Sequence, residues 1–269
     1  MDKRRAIQKY FSRMPKWALW LAGFAAIVAL MAEGGVRYGA LLAALALVGW
    51  AITFVTGRPS DEQMDRWLAE DLTCLEARAL SKIGLDRESL VRDAVVIIGP
   101  RFRNTGGAKF GFRKGKDVKA RFTPIDVSVL NFTEHQLVAY QCSLDSMTGD
   151  PRSECSSEYF YNDIVSVATQ ADPQTYQYGE LDKELLSRVK DLGKSAKKSG
   201  VLQVNDAQIF ALSSSGGTTL RVVLNTPMVI NRLGGGTIST EQTEQAVQAV
   251  RKMVREKKAG ALPIRSALA

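Results

Sequence analysis

Residues 125–145 read IDVSVLNFTEHQLVAYQCSLD. Ile125, Val127 and Val129 alternate with Asp126, Ser128 and Leu130. After the polar, turn-like Thr133-Glu134-His135-Gln136, the residues Val138, Tyr140, Cys142 and Leu144 alternate with Ala139, Gln141, Ser143 and Asp145. A period of two sends successive side chains to opposite faces of a strand. The stretch therefore predicts two consecutive antiparallel strands, each with one buried face. Working outward, residues 94–98 form a short apolar run closed by Gly99-Pro100 and predict a preceding strand. Residues 147–151 read as a turn and 158–169 as further strand. Residues 208–212 and 220–224 predict a hairpin around Ser213-Ser214-Ser215-Gly216-Gly217.

Two helical segments break this pattern. Residues 171–203 carry Leu181, Leu185, Leu186, Val189 and Leu192 at helical spacing and end in Lys194, Lys197, Lys198 and Gly200, which predicts a helical insertion. After an irregular stretch over 225–236, Ser239 and Gln242 have capping-box spacing, and Val247, Val250 and Val254 line one face of a closing helix. Its basic residues lie elsewhere on the helix and read as a solvated face. Antiparallel strands closed by a capped amphipathic helix suit a small barrel plugged at one end.

The 269 residues are 45% hydrophobic and 24% charged, with a mean hydropathy of −0.09, but the apolar residues are concentrated near the N-terminus. From 17 to 55 the only charged side chains are Glu33 and Arg37. Residues 17–32 and 38–55 would make helices of about 24 and 27 Å, close to a hydrocarbon core of ~30 Å. Trp17, Trp20 and Trp50 suit the membrane interfaces, and Lys16 suits snorkelling. The short Glu33-Gly34-Gly35-Val36-Arg37 turn between them predicts an antiparallel transmembrane hairpin. A cleaved signal peptide is the competing reading. Against it, Leu30-Met31-Ala32 is a poor cleavage site and a second apolar run follows at once. A buried soluble helix pair is disfavoured because neither run has a polar face. Ala22, Ala25, Ala26, Ala29, Ala40, Ala43, Ala44 and Gly49 permit close helix packing, within the hairpin or between chains.

Charge sets the expected orientation. Lys3, Arg4, Arg5, Lys9, Arg13 and Lys16 stand against Asp2, giving the first 16 residues +5 of the chain's +8. Glu33 and Arg37 cancel, leaving +3 for residues 58–269. The basic tail predicts cytoplasmic termini. Beyond the hairpin, Ser60 and Gln63 have capping-box spacing, and Trp67, Leu68, Leu72, Leu75 and Ala79 form a helical stripe ended by Gly84. Residues 86–91 read as a second short helix, completing a helical linker.

Between 101 and 121, Arg101, Arg103, Lys109, Arg113, Lys114, Lys116, Lys119 and Arg121 oppose Asp117 alone, and Phe102, Phe110 and Phe112 are interleaved. One reading is a basic, partly aromatic hairpin on anionic lipid headgroups, with Lys109, Arg113, Lys114 and Lys116 as the contacts. The other is a solvated edge hairpin whose lysines prevent edge pairing. The glycines here make no phosphate loop. A third reading stacks nucleic-acid bases on the phenylalanines, but no recognised RNA-binding motif frames them and the excess charge lies in the tail.

His135 is the only histidine, which excludes multi-histidine metal sites. Cys74, Cys142 and Cys155 show no C-x-x-C spacing, so no zinc ribbon or disulfide scaffold is expected. A thiol enzyme would use Cys142 or Cys155 with His135 as base. Cys142, however, shares the inward register of Val138 and Tyr140 and reads as a core thiol. The expectation is a chain with no catalytic residues, metal site or cofactor, and no small-molecule substrate is identified.

Three segments together resemble the bacterial pleckstrin-homology-like (PH-like) family. They are the strand–turn–strand at 127–140, the aromatic run Glu158-Tyr159-Phe160-Tyr161-Asn162 with the following Asp163-Ile164-Val165-Ser166-Val167, and residues 210–224 followed by the helix at 240–258. The resemblance covers roughly 120–258, and the insertion at 171–203 departs from the simplest family layout. It implies a bent seven-stranded barrel capped by a C-terminal helix, used for binding and assembly. The expected fold is a membrane-anchored α+β chain: a basic tail (1–16), a two-helix transmembrane hairpin (17–57), a helical linker (58–93), a predominantly antiparallel PH-like β domain with its helical insertion (94–258), and a C-terminal tail (259–269). The expected location is the bacterial inner membrane. Expected partners are membrane lipids and a protein partner or second copy of the chain, with no nucleic acid.

Overall fold

The computed structural model describes residues 2–13, 16–31, 33–238 and 240–261. The side chain of Lys16 and the whole of Ser239, the first residue of the second capping pair, lie outside the described residues. The chain divides into two compact units, Met1–Met64 and Asp65–Ala269.

In the first unit the basic tail is helical. Helix α1 (Lys3–Phe11) is capped by the Asp2 carboxylate, which accepts a hydrogen bond from the Arg4 N–H at 3.2 Å. Ala6, Ile7, Tyr10 and Phe11 share one face and are buried. Tyr10 donates to Asp61 at 2.6 Å, and Arg58 donates to the Ser12 carbonyl at 2.9 Å, so the C-terminal end of the unit holds this helix and its cap. α2 (Lys16–Met31) and α3 (Gly35–Val55) run back along one another, with the Trp17 and Trp50 rings 5.6 Å apart. Of the small residues singled out above, Ala22 and Ala29 are buried, Ala25, Ala40 and Ala44 are half-buried, and Ala26, Ala43 and Gly49 are exposed. Gly35–Thr53 is long and apolar enough to cross a membrane, and the apolar part of α2, Trp20–Met31, is shorter.

α4 (Asp61–Ile83) starts where expected, with Ser60 Oγ accepting from the Gln63 N–H at 3.2 Å. Its stripe is inward: Leu75 and Ala79 are buried, and Leu68 and Leu72 pack against the same core. Eleven strands follow among the described residues: β1 (Val95–Pro100), β2 (Gly111–Lys114), β3 (Ala120–Thr123), β4 (Ile125–Phe132), β5 (Gln136–Asp145), β6 (Asp150–Phe160), β7 (Ile164–Ala171), β8 (Gln174–Gln177), β9 (Val201–Val204), β10 (Gln208–Ser214) and β11 (Thr219–Asn225). Helices α5 (Lys183–Arg188) and α6 (Lys190–Ser199) lie between β8 and β9. α7 (Pro227–Leu233) and α8 (Thr240–Ala261) end the described chain. Every strand pair is antiparallel.

The sheets run in the orders β1-β4-β5-β6, β11-β10-β7, β2-β3 and β8-β9. No closed barrel forms among the described residues, contrary to expectation. β6 pairs only with β5 and β7 only with β10, and the turn Tyr161–Asp163 between them opens the two large sheets apart. At the other side β1 meets β11 without a ladder. A Cβ on Gly99 would lie 1.7 Å from the Val223 carbonyl oxygen, so glycine is what lets the two backbones approach.

The expectation of one buried face per strand fails for β4 and β5. Val127, Val129, Tyr140, Cys142 and Leu144 enter one core, with α4, the hairpin β2-β3 and the 174–207 region. Leu130, Phe132, Leu137 and Ala139 enter another, with β10, β11 and the α8 residues Val247, Val250, Met253 and Val254. The excursions after β1 and β7 fold over the outer face and bury it. The excursion at 171–203 is also only partly helical, because β8 and β9 pair at its two ends. Helix α7 occupies part of the stretch expected to be irregular.

Gly99→Ala is expected to destabilise the chain by at least about 2 kcal/mol, since the new methyl meets backbone that cannot rotate away. Urea unfolding of the two proteins checks this.

Candidate functional site

Residues 101–124 form the predicted hairpin, with Phe112 opposite Phe122 and Arg113 opposite Arg121. Its aromatic side chains face inward. Phe102, Phe110, Phe112 and Phe122 are all buried, with the Phe112 and Phe122 rings 5.3 Å apart and the Phe102 and Phe122 rings 6.2 Å apart edge to face. This removes Phe102, Phe110 and Phe112 as a base-stacking platform and as lipid contacts: their apolar area is spent on the core. Phe122 was not singled out by the sequence reading, and its place opposite Phe112 in the register is what brings it in.

The cations divide into two sets. Arg101 pairs with Asp126 at 2.7 Å, and burial pushes the Asp126 carboxyl up despite that partner. Arg103 lies 5.6 Å over the Tyr176 ring and 4.0 Å from Glu180. Arg121, with its side chain only 9% exposed, bridges Asp65 and Asp117, both at 2.8 Å. Its hydrogen bonds hold the Asp117 carboxyl at about 2. These three arginines are structural. Of the residues expected to touch lipid, Lys109, Lys114 and Lys116 are exposed and Arg113 is half-buried. Lys109 and Lys114 have no ion pair among the described residues. Strand alternation sends Arg113 and Lys114 to opposite sides of β2. Lys114 and Lys116 stand together near the hairpin tip, and Lys109 precedes the strand at its other end.

One residue that sequence reasoning missed fixes the hairpin. Arg188 of α5, 4% exposed, donates to the Phe112 carbonyl at 3.0 Å, lies 5.6 Å over the Phe110 ring and pairs with Glu184 at 3.1 Å. The available signal was a single arginine inside the apolar stripe of Leu185, Leu186 and Val189.

The thiols and the histidine are not assembled into a site. His135 lies exposed in the β4–β5 turn. Cys142 is about 20 Å further along β5 by strand rise, and Cys155 pairs across from Gln141 at a similar distance. Cys142 is buried and its thiol is pushed up to about 11, chiefly by desolvation. Cys74 and Cys155 are exposed. Among the described residues no cluster of three or more His, Cys, Asp or Glu side chains could hold a metal ion. Beside Cys142, Tyr140 donates to Glu154 at 2.6 Å, and Arg78 of α4 grips the same carboxylate with two hydrogen bonds of 2.8 and 2.7 Å. Arg78 first, then Tyr140, hold Glu154 at about 2.

In the first unit, Trp17, Trp20 and Trp50 are 56%, 78% and 41% exposed. Comparison with known protein families, curated proteins and solved structures finds no match.

Two outcomes follow from this geometry. Because Glu154 is held below its ordinary value near 4.5, its contribution to stability is present above that value and is lost as pH falls toward about 2. Glu154→Gln should lower the melting temperature at neutral pH and flatten its decline over that acid window. Cys142→Ser should destabilise by ~1–3 kcal/mol through the buried hydroxyl. In the native protein, a maleimide probe at neutral pH should label Cys74 and Cys155 well before Cys142.

Proposed function

We propose that this chain is a membrane-anchored binding and assembly module, acting by contact and not by catalysis. In this reading α2 and α3 form a transmembrane hairpin in the bacterial inner membrane, with both termini cytoplasmic. The second unit is a PH-like domain that engages a protein partner or second copy of the chain, and its basic hairpin meets the anionic membrane surface. The observation that carries the reading is the outward apolar surface of the helix pair: Trp20, Leu30 and Met31 are each about four-fifths exposed, and Phe24, Leu42 and Leu45 about two-thirds. A contiguous apolar surface of this kind marks a membrane or protein contact. The six basic residues among the first 16 favour a cytoplasmic N-terminus.

The strand order supports the PH-like assignment. The four-stranded sheet is followed by the three-stranded sheet and by α8, which contributes its valines to the core they share. Those seven strands and the closing helix agree in number with the layout that the family resemblance implies. The two excursions and the open β6 and β7 edges are departures from it. For the lipid contact, Lys109 and Lys114 are the cleanest candidates, and each cation near an anionic surface contributes roughly 1 kcal/mol, less with salt.

Sedimentation with vesicles tests both parts. The full chain should remain with membranes through high salt and alkaline carbonate. Residues 58–269 should sediment with anionic vesicles only, release as salt rises, and bind more weakly after Lys109→Gln and Lys114→Gln together. Carbonate extraction of the full chain would overturn the anchor, and equal binding of the fragment to neutral vesicles would overturn the lipid contact.

A further inference from the structure

The turn that parts the two large sheets leaves β7 with one free edge. β7 follows β10 in regular register from Ser166 to Ala171, after a bulge at Val165. Every second residue of that stretch directs its N–H and C=O away from β10. Among the described residues, no group outside β10 hydrogen-bonds to the backbone of residues 166–171. The nearest such bond is at the strand's first residue, where Lys258 donates to the Ile164 carbonyl.

A free edge is a template for a further strand, and folded proteins blunt their edges with charge, proline, bulges or short strands. The other edges of this unit carry those devices. β6 has Pro151, Arg152 and Glu158 and a register shift opposite Gln141 and Ser143. β1 ends in Pro100 and lies against β11, which carries Arg221. The β2-β3 hairpin is basic, and β8 and β9 have four residues each. β7, with the sequence IVSVATQA, has no charge and no proline, and its one bulge lies at its start. A second observation falls at the same place. Of the large apolar side chains exposed in the second unit among the described residues, the two most exposed are Phe160 at 54% and Val165 at 63%, on either side of the Tyr161–Asp163 turn.

The chemistry of the strand selects its occupant. In a two-fold contact the same patch meets itself, so any charge near the centre would face its like. β7 has none to oppose, and offers no counter-charge to a charged strand. We propose that β7 is a contact between two copies of this chain, each pairing antiparallel with the other about a two-fold axis and joining two three-stranded sheets into one of six. Such an axis sets one residue opposite itself. Centred on Ala168, it places Val167 against Thr169 twice, a pairing of β-branched side chains, and draws Val165 under the end of the new ladder. The inference rests on the assembly role proposed above and names its partner and surface.

The test is sedimentation of the detergent-solubilised full chain at micromolar concentration. A dimer is expected, and Ala168→Lys or Ala168→Glu alone should weaken it at least about tenfold. Mixing the two variants should restore the dimer, which also shows that both are folded. With Cys74→Ser and Cys155→Ser as background, Ala168→Cys should oxidise to a disulfide-linked dimer, because directly opposed Cα atoms in an antiparallel pair lie about 4.5–5.5 Å apart. A monomeric wild-type chain, a charge-variant mixture that stays apart, or no crosslink through Ala168→Cys would overturn the inference. A dimer indifferent to both charges would overturn it as well, while leaving the assembly role intact through another surface.

Discussion

Burial of the β1-β4-β5-β6 sheet on both faces is the constraint on which the second unit depends. Its two central strands carry apolar side chains in both registers: Val127, Val129, Tyr140 and Leu144 on one side, Leu130, Phe132 and Leu137 on the other. A sheet of that composition cannot leave either face to water. The three-stranded sheet and α8 cover one face. The other needs α4 and both excursions from the strand order. Phe102, Phe110, Phe112 and Phe122 are the payload that the first excursion delivers to that face, and burying each contributes ~2 kcal/mol.

Buried arginines then orient what the apolar core holds. Arg121 and Arg188 are nearly enclosed, and each joins segments far apart in sequence: Asp65 with Asp117, and the Phe112 carbonyl with α5. Removing one partner from such a pair is far more costly than breaking an exposed pair such as Arg232 with Asp191 at 3.7 Å. Much of the basic character of residues 101–121 is therefore architectural. What remains for a surface role is concentrated at Lys109 and at the hairpin tip. The same division appears on α8, where Lys257 pairs with Glu134 at 2.7 Å and Arg251 donates to Thr169 at 3.0 Å, so part of its basic face is attached to the domain and not solvated.

The elements legible in the sequence are those with a sustained period. The β4–β5 and β10–β11 pairs and the stripe of α4 fall close to their expected bounds, because several repeats of one spacing agree. The elements missed are short or have their apolar residues supplied by others. β8 and β9 are four residues each, too short for alternation to declare itself. α1 was read as a charged tail because five of its nine residues, KRRAIQKYF, are polar or charged beyond its apolar face, and only the partners at Arg58 and Asp61 reveal that the face is used.

The sequence by itself determined the periodic elements, the concentration of apolar residues between 17 and 55, the inward register of Cys142 and the density of charge in the basic hairpin. Each is a property of neighbours along the chain, where spacing alone dictates which side chains share a face. Tertiary structure alone decided that β4 and β5 are covered twice, that the large sheets remain open between β6 and β7, and that the hairpin phenylalanines belong to the core. It also separated the structural arginines from the exposed lysines. These outcomes depend on which segment covers which face, and coverage is set by shape and partner between residues remote in sequence, which no local period records.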